Sequence, residues 1–266
     1  MTGDGVNDIL AMKESDCSVA MASGSDAARS VAHLVLLDSN FANMPKVVME
    51  GRRVINNIQS SASLYLMKTL FVMVITFLSI VAKNVFTSGY PFEPIQFMLL
   101  EFFIIGMPST ILALQPNKEK IRGSFIGNII SNCFTQALCL ILTVLVIYLL
   151  GSKNIPGLDL SNDAEVNSIC VMAITYVGFI ILVNICRPFN ALRTAIVVVS
   201  GVCITLAFSI PEISTLLGVS NQFKDFDIVK QLFTLCIILA IVPIERAFAD
   251  LIRNIKNKNK KENINE

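Results

Sequence analysis

The chain has 266 residues, of which 54% are hydrophobic and 15% charged, with a formal net charge of +1 and a mean hydropathy of +0.67. That balance excludes an ordinary soluble globular domain, and most of the chain is expected in a lipid bilayer. The near-neutral charge offers no footing for nucleic acid, and no nucleic-acid partner is expected.

In chain order, residues 1–47 predict a short α/β remnant of a larger domain. A brief strand is expected over 18–22, Ser25 caps a small helix running through Arg29, and 34–37 predicts a second buried strand. Residues 44–63 are polar but helix-favouring, carry Glu50, Arg52 and Arg53, and contain no Gly or Pro after Gly51. They are expected to run into the first membrane helix as a stalk of roughly 35 residues or more, reaching about 20 Å beyond the bilayer. Apolar runs at 64–82, 92–114, 125–150, 167–186, 194–211 and 228–248 each approach or exceed the ~20 residues that cross ~30 Å of hydrocarbon. The fold class expected is therefore mainly α, a polytopic membrane protein with about six transmembrane helices. Residues 48–250 form its stalk and membrane domain, and 251–266 a basic cytoplasmic tail.

Residues 1–40 carry Asp4, Asp8, Lys13, Glu14 and Asp16 and lack the basic flank and apolar core of a secretory signal, so this end is expected in the cytoplasm. The cytoplasmic junctions then hold Lys118, Lys120, Arg122, Arg187, Arg193, Arg246, Arg253, Lys256, Lys258, Lys260 and Lys261. Lys83, Lys153 and Lys224 fall on the opposite side, with Lys230 near its edge. The asymmetry follows the positive-inside rule and predicts both termini inside. The stretch 253–261 reads as a solvated end, with contact to anionic lipid as the alternative. Cys133, Cys139, Cys170, Cys186, Cys203 and Cys236 all fall in or beside apolar runs, where thiols serve as small packers. No Cys-x-x-Cys occurs and His33 is the only histidine, so a soft-metal site has little support.

The chemistry concentrates in Gly3-Asp4-Gly5-Val6-Asn7-Asp8. Glycines on both sides of Asp4 permit a tight turn after a strand and leave a short carboxylate free for a hard divalent cation. Asp4 is thus a candidate Mg²⁺ ligand. Asn7 and Asp8 are placed to fix a phosphate oxygen or a water and to anchor the loop, and positioning with charge compensation is how phosphoryl transfer is catalysed. An ordinary Asp-Gly turn followed by a helix cap is the plain alternative.

Thr2-Gly3-Asp4-Gly5-Val6-Asn7-Asp8, Val19-Ala20-Met21 with Gly24 and Asp26, Leu36-Leu37-Asp38, and Glu50-Gly51-Arg52-Arg53-Val54-Ile55-Asn56-Asn57-Ile58 together resemble the hinge, the end of the phosphorylation domain and the stalk of a P-type cation-transporting ATPase. The likeness runs through most of residues 1–122, is most specific in the first 58, and points to a bacterial, calcium-pump-like branch. It implies the C-terminal end of a haloacid-dehalogenase-like phosphorylation domain. In it Asp4 holds Mg²⁺, Asp8 supports the magnesium loop, Asn7 and Asp8 organise an aspartyl-phosphate site, and Gly3 and Gly5 admit the cofactor. It also implies the last six of ten membrane helices. The family's phosphorylated Asp-Lys-Thr-Gly-Thr segment, nucleotide domain, actuator domain and early helices have no counterpart in these residues, so this chain alone is not expected to hydrolyse ATP.

Cargo is argued from charges inside the apolar runs, where an unpaired one costs several kcal/mol. Lys68 and Glu101 stand out, and Glu101 is the leading ion ligand. Gly106 and Pro108 are expected to break its helix and expose carbonyl ligands. Pro94, Gly106-Met107-Pro108 and Pro116-Asn117 are similar to the matching helix of calcium pumps, which carry Asn, Thr and Asp where this chain has Glu101, Ile104 and Ile105. In the first helix the calcium pumps' Asn and Glu would fall near Thr69 and Val72. A two-calcium site copied from those pumps is therefore not expected. Lys68 either pairs with Glu101, stands in for a second cation, or reaches toward the cytoplasm without a transport role. Gln96, Ser109, Thr69, Asn132, Gln136 and Asn184 are further oxygen donors, for which interhelical hydrogen bonding is the competing use.

The resemblance implies a parent pump in the plasma membrane that couples ATP hydrolysis with Mg²⁺ to cation transport, calcium favoured over magnesium, protons or a polyamine. Its partners are the bilayer, the cation and the rest of the same polypeptide. The alternative is a phosphatase-like or non-catalytic multi-helix channel or carrier complete as it stands.

Overall fold

The computed structural model describes residues 1–82, 86, 89–115, 120, 124–151, 162–221 and 225–265, and for 246 and 249–265 the backbone alone. The chain divides into two compact units, Met1–Val54 with Pro116–Lys120 and Ile55–Gln115 with Ile121–Glu266.

In the first unit β1 (Thr2–Gly3), β2 (Val19–Met21) and β3 (Leu34–Leu36) make a sheet in that order. Both pairings are parallel, with Thr2 opposite Val19 and Val19 opposite Leu34. Parallel neighbours need a crossover, which α1 (Ile9–Glu14) and α2 (Asp26–Val31) supply. Met12, Ala20 and Ala28 form the buried centre, with Val31, Ala32 and Val35 packed on it. The Ser25 hydroxyl accepts the Ala28 N–H at 3.1 Å and starts α2, as its place before Asp26 predicts. The strands expected over 18–22 and 34–37 are present with slightly shorter ends. β1 has no periodic signal in its two residues, and only the turn around Asp4 implied a strand before it; it is the strand that delivers Asp4.

Among the described residues six stretches are long and apolar enough to cross a membrane: Phe41–Val81, Pro94–Ala113, Phe125–Gly151, Asp163–Ile185, Ala191–Ser209 and Ile228–Glu245. The first lies largely in α3 (Met44–Val81), one helix of 38 residues, so the expected stalk and first apolar run are continuous. The second is composite, with a 3-10 turn at Pro94–Phe97, a π-helical segment at Leu100–Gly106 and α4 (Met107–Ala113). Then follow α5 (Phe125–Gly151), α6 (Asp163–Ile185), α7 (Ala191–Ser209), a short α8 (Pro211–Leu216) and α9 (Ile228–Asn265). Because α9 carries on to Asn265, residues 251–265 of the tail expected at 251–266 continue the last helix. The tail's Asn/Lys-rich composition is compatible with helix even though it lacks apolar periodicity. Lys83, Pro116, Asn117, Lys118, Arg122, Lys153 and Lys224 lie outside the described residues.

Among the described residues side-chain caps start α5, α6 and α7, the first through Ser124, whose hydroxyl accepts the Gly127 N–H at 3.2 Å. Asn162 Oδ1 accepts the Ala164 N–H at 3.1 Å, ahead of Asp163 and Glu165, whose charges suit the positive end of α6. Asn190 Oδ1 accepts the Arg193 N–H at 2.8 Å at the head of α7. α5, α6 and α9 pack together, and α6 is central: 67% of its apolar window is buried against 28% for α7. Cys133, Cys139, Cys170 and Cys186 are buried and unbridged, in the packing role expected of them.

Candidate functional site

At the carboxyl end of β1 the chain turns through Asp4 and Gly5 into a single 3-10 turn, Val6–Asp8. The Asp8 carboxylate closes this loop, its Oδ2 accepting the N–H groups of Asp4 at 3.1 Å and Gly5 at 3.2 Å. Asp8 therefore braces the loop. Gly3 is buried against it, and a Cβ there would lie 2.6 Å from Asp8 Cβ. On the other side Gly24 lies on the Asp4 backbone, and the Ser25 N–H donates to the Asp4 carbonyl at 2.8 Å. Asp4 is held from two directions through its main chain while its side chain is exposed and, among the described residues, makes no hydrogen bond. Asn7 is exposed beside it. Carboxyl ends of parallel strands are where open α/β sheets receive ligands, and a free carboxylate there fits a hard divalent cation. His33 is spent elsewhere: its Nδ1 accepts the Ser18 N–H at 3.1 Å and contacts the Ser18 hydroxyl at 2.7 Å.

In the membrane unit Lys68 of α3 and Glu101 of the π segment form an ion pair, Nζ to Oε1. Their side chains are 30% and 50% exposed, so the pair sits on a face of this unit and not in its packed interior. Thr69 does not join it, because its hydroxyl donates to the Tyr65 carbonyl of its own helix at 3.1 Å.

Gly106 and Pro108 do not break the helix. Gly106 (φ −66°, ψ −63°) and Met107 (φ −60°, ψ −48°) stay helical, and the irregularity is a wider winding upstream in which the Met107 N–H reaches Phe102 O, five residues back. The helix tolerates its proline by changing pitch. The freed carbonyls are also not bare: Phe103 O accepts the Ser200 hydroxyl at 2.8 Å, and Gly106 O accepts those of Ser109 at 3.0 Å and Thr110 at 2.9 Å. A Cβ on Gly106 would stand 3.1 Å from Glu101 O, so this turn closes tightest with glycine.

Of the other expected oxygen donors, Gln96 uses both ends structurally, donating to Gly218 O at 2.9 Å and accepting the Glu93 N–H at 3.0 Å. Asn132 is exposed. Gln136 is buried, and its Oε1 has no hydrogen-bond partner among the described residues. Asn184 donates to Glu245 Oε2 at 2.7 Å. Sequence reading passed over Glu245 because it stands beside Arg246 near the end of its apolar run and looks like a flank, and over Ser200 because one serine in an apolar helix carries no signal of its partner.

No protein-family model matches the chain. Among curated proteins it is 32% identical over 249 residues, 90% of its length, to the "Probable cation-transporting ATPase exp7" of Streptococcus pneumoniae. It is 36% identical over 217 residues, 79% of its length, to the calcium-transporting ATPase CtpE of Mycolicibacterium smegmatis. The sequence is that of a P-type ATPase C-terminal region. With six membrane-length helices, this P-type ATPase region is a multi-pass membrane protein. It spans 31% of the streptococcal and 27% of the mycolicibacterial relative. The "P-type sodium-transporting ATPase4" of Toxoplasma gondii is 35% identical over 121 residues, 45% of this chain and 9% of that protein. The relatives' names thus differ in the ion they carry, and cargo is a question for the site itself.

Proposed function

We propose that this region belongs to a pump coupling ATP hydrolysis, through an aspartyl-phosphate formed elsewhere in the same polypeptide, to cation movement across the plasma membrane. Both ends of the region lie in the cytoplasm, and calcium is the favoured cargo. The ion pair of Lys68 with Glu101 carries the reading. Charged side chains on membrane helices mark ion pathways and face protein or water instead of lipid, and here Glu101 is half exposed on its unit. That face is covered by the rest of the pump. With no cargo present Lys68 neutralises Glu101; a cation entering the site takes the carboxylate and releases the ammonium. Calcium suits the hard carboxylate oxygens of Glu101 and agrees with the name of the mycolicibacterial relative. Magnesium, protons and polyamines are the competing cargoes.

In the loop, Asp4 offers its carboxylate to Mg²⁺, Asp8 keeps the loop closed, Asn7 presents an amide to a phosphate oxygen or water, and Gly3 and Gly5 leave room for the backbone to approach. Bound magnesium supplies charge compensation to a transferring phosphoryl group. ATP is held mainly by parts of the pump outside this chain. The α3 helix, which contributes residues to both units, is the element through which the two sites communicate.

The test uses the full-length pump. Glu101→Gln is expected to abolish calcium-stimulated ATP hydrolysis, and Asp4→Asn to slow phosphoenzyme formation or turnover by about 10²-fold or more. A Glu101→Gln pump with normal calcium affinity removes Glu101 as a ligand, and an unchanged rate in Asp4→Asn removes Asp4 from the phosphate site.

A further inference from the structure

We infer that Ser200, on α7, is a positioning residue for Glu101: its hydroxyl selects the π winding of Leu100–Gly106 and so sets the direction of the Glu101 carboxylate. The inference rests on the reading of Glu101 as the ion ligand. Its basis is a hydrogen-bond account around Pro108, which has no N–H to donate. In an α winding the carbonyl left unserved lies four residues back, at Ile104; in a π winding it lies five back, at Phe103. The neighbouring Met107 N–H bonds to Phe102, five residues back, so the π winding is the one adopted. The carbonyl it leaves unserved, Phe103 O, is the one Ser200 reaches, at 2.8 Å.

Other helix hydroxyls in this unit behave differently. Those of Thr143, Thr175, Thr205 and Ser209 all donate to the carbonyl four residues back in their own helix. Ser200 instead crosses to another element, from a position with 0% exposure. Rewinding the segment to α would give Phe103 O the Met107 N–H and leave the Ile104 carbonyl unserved away from water and out of reach of the Ser200 bond, where such a group is costly. A π turn holds more residues than an α turn, so rewinding would also rotate Glu101, which lies inside the segment, relative to Lys68. Gly178 of α6 accepts the other face closely, its Cβ position lying 3.2 Å from Ile104 Cδ1 and 3.5 Å from Leu100 Cδ1, so the segment is gripped from two helices.

The experiment titrates calcium against ATP hydrolysis in the full-length pump carrying Ser200→Ala, Ser200→Thr or Glu101→Gln. Ser200→Ala is expected to raise the half-saturating calcium concentration about tenfold, the equivalent of one hydrogen bond, with the rate at saturating calcium retained. Ser200→Thr, which keeps the hydroxyl, is expected to restore most of the affinity. Unchanged affinity in Ser200→Ala, a fall in maximal rate without a change in affinity, or an equal defect in Ala and Thr overturns the inference. If Glu101→Gln abolishes stimulation while Ser200→Ala has no effect, this inference alone fails; if Glu101→Gln leaves calcium affinity intact, the reading beneath it fails as well.

Discussion

Gly24 has no functional group, yet it constrains Asp4 more directly than any side chain does. A Cβ there would stand 2.6 Å from Asp4 O and 2.9 Å from Asp4 Cα, and those are main-chain atoms that cannot swing aside. Gly24→Ala is expected to displace the loop and slow phosphoenzyme formation in the full-length pump by about tenfold to a hundredfold, since small misplacements of reacting groups cost that much. Gly51→Ala, with nothing within 4 Å of its Cβ position, is the control. A Gly24→Ala pump with a normal rate would show that the contact is slack. The turn around Asp4 was legible in the sequence because glycines on both sides of a short carboxylate favour one. The constraint from Gly24 was not, because it exists only once the turn after β2 lies against the loop after β1.

At the scale of elements, hydropathy located five of the six spans to within a few residues at both ends and the far end of the first, and continuity of the stalk with the first span followed from the lack of breakers after Gly51. The second span was read correctly for place and wrongly for form. Gly106 and Pro108 signal an irregular helix, but whether it breaks or rewinds depends on which hydroxyl meets the freed carbonyl, and Ser200 lies 97 residues beyond Phe103. A related device ends α4. Asn57 of α3 donates through Nδ2 to Ala113 O and Gln115 O, both at 3.1 Å, where helix ends leave carbonyls without partners. Asn57→Ala is expected to destabilise the membrane unit by about 1–3 kcal/mol. Asn57→Asp, which replaces the donor by an acceptor, is expected to cost more. Thermal unfolding of the detergent-solubilised protein measures both, and equal stability of all three forms would refute the assignment.

Across the whole membrane unit, the bundle of α5, α6 and α9 is organised around α6, and one ion pair ties two of its members: Lys230 of α9 to Glu165 in the first turn of α6, with side chains 12% and 28% exposed. Removing one partner leaves the other charge largely enclosed, which costs more than removing both. Glu165→Gln is expected to lower the unfolding temperature, and adding Lys230→Met to recover part of the loss; a further drop in the double variant would show that the pair is not the source. Lys230 was read as an edge charge, and nothing in the sequence joined it to Glu165. Residue composition and order alone were enough for the membrane class, the number and place of the spans, the Asp4 loop and the two intramembrane charges, because burial in hydrocarbon and turn chemistry act on short stretches of chain. The pairing of Lys68 with Glu101, the π winding, the grip of Ser200 and Gly178 on it and the bracing of Asp4 by Asp8 and Gly24 were decided by the tertiary structure. Each depends on which carbonyl, hydroxyl or charge another element brings within bonding distance, and local pattern carries no record of that.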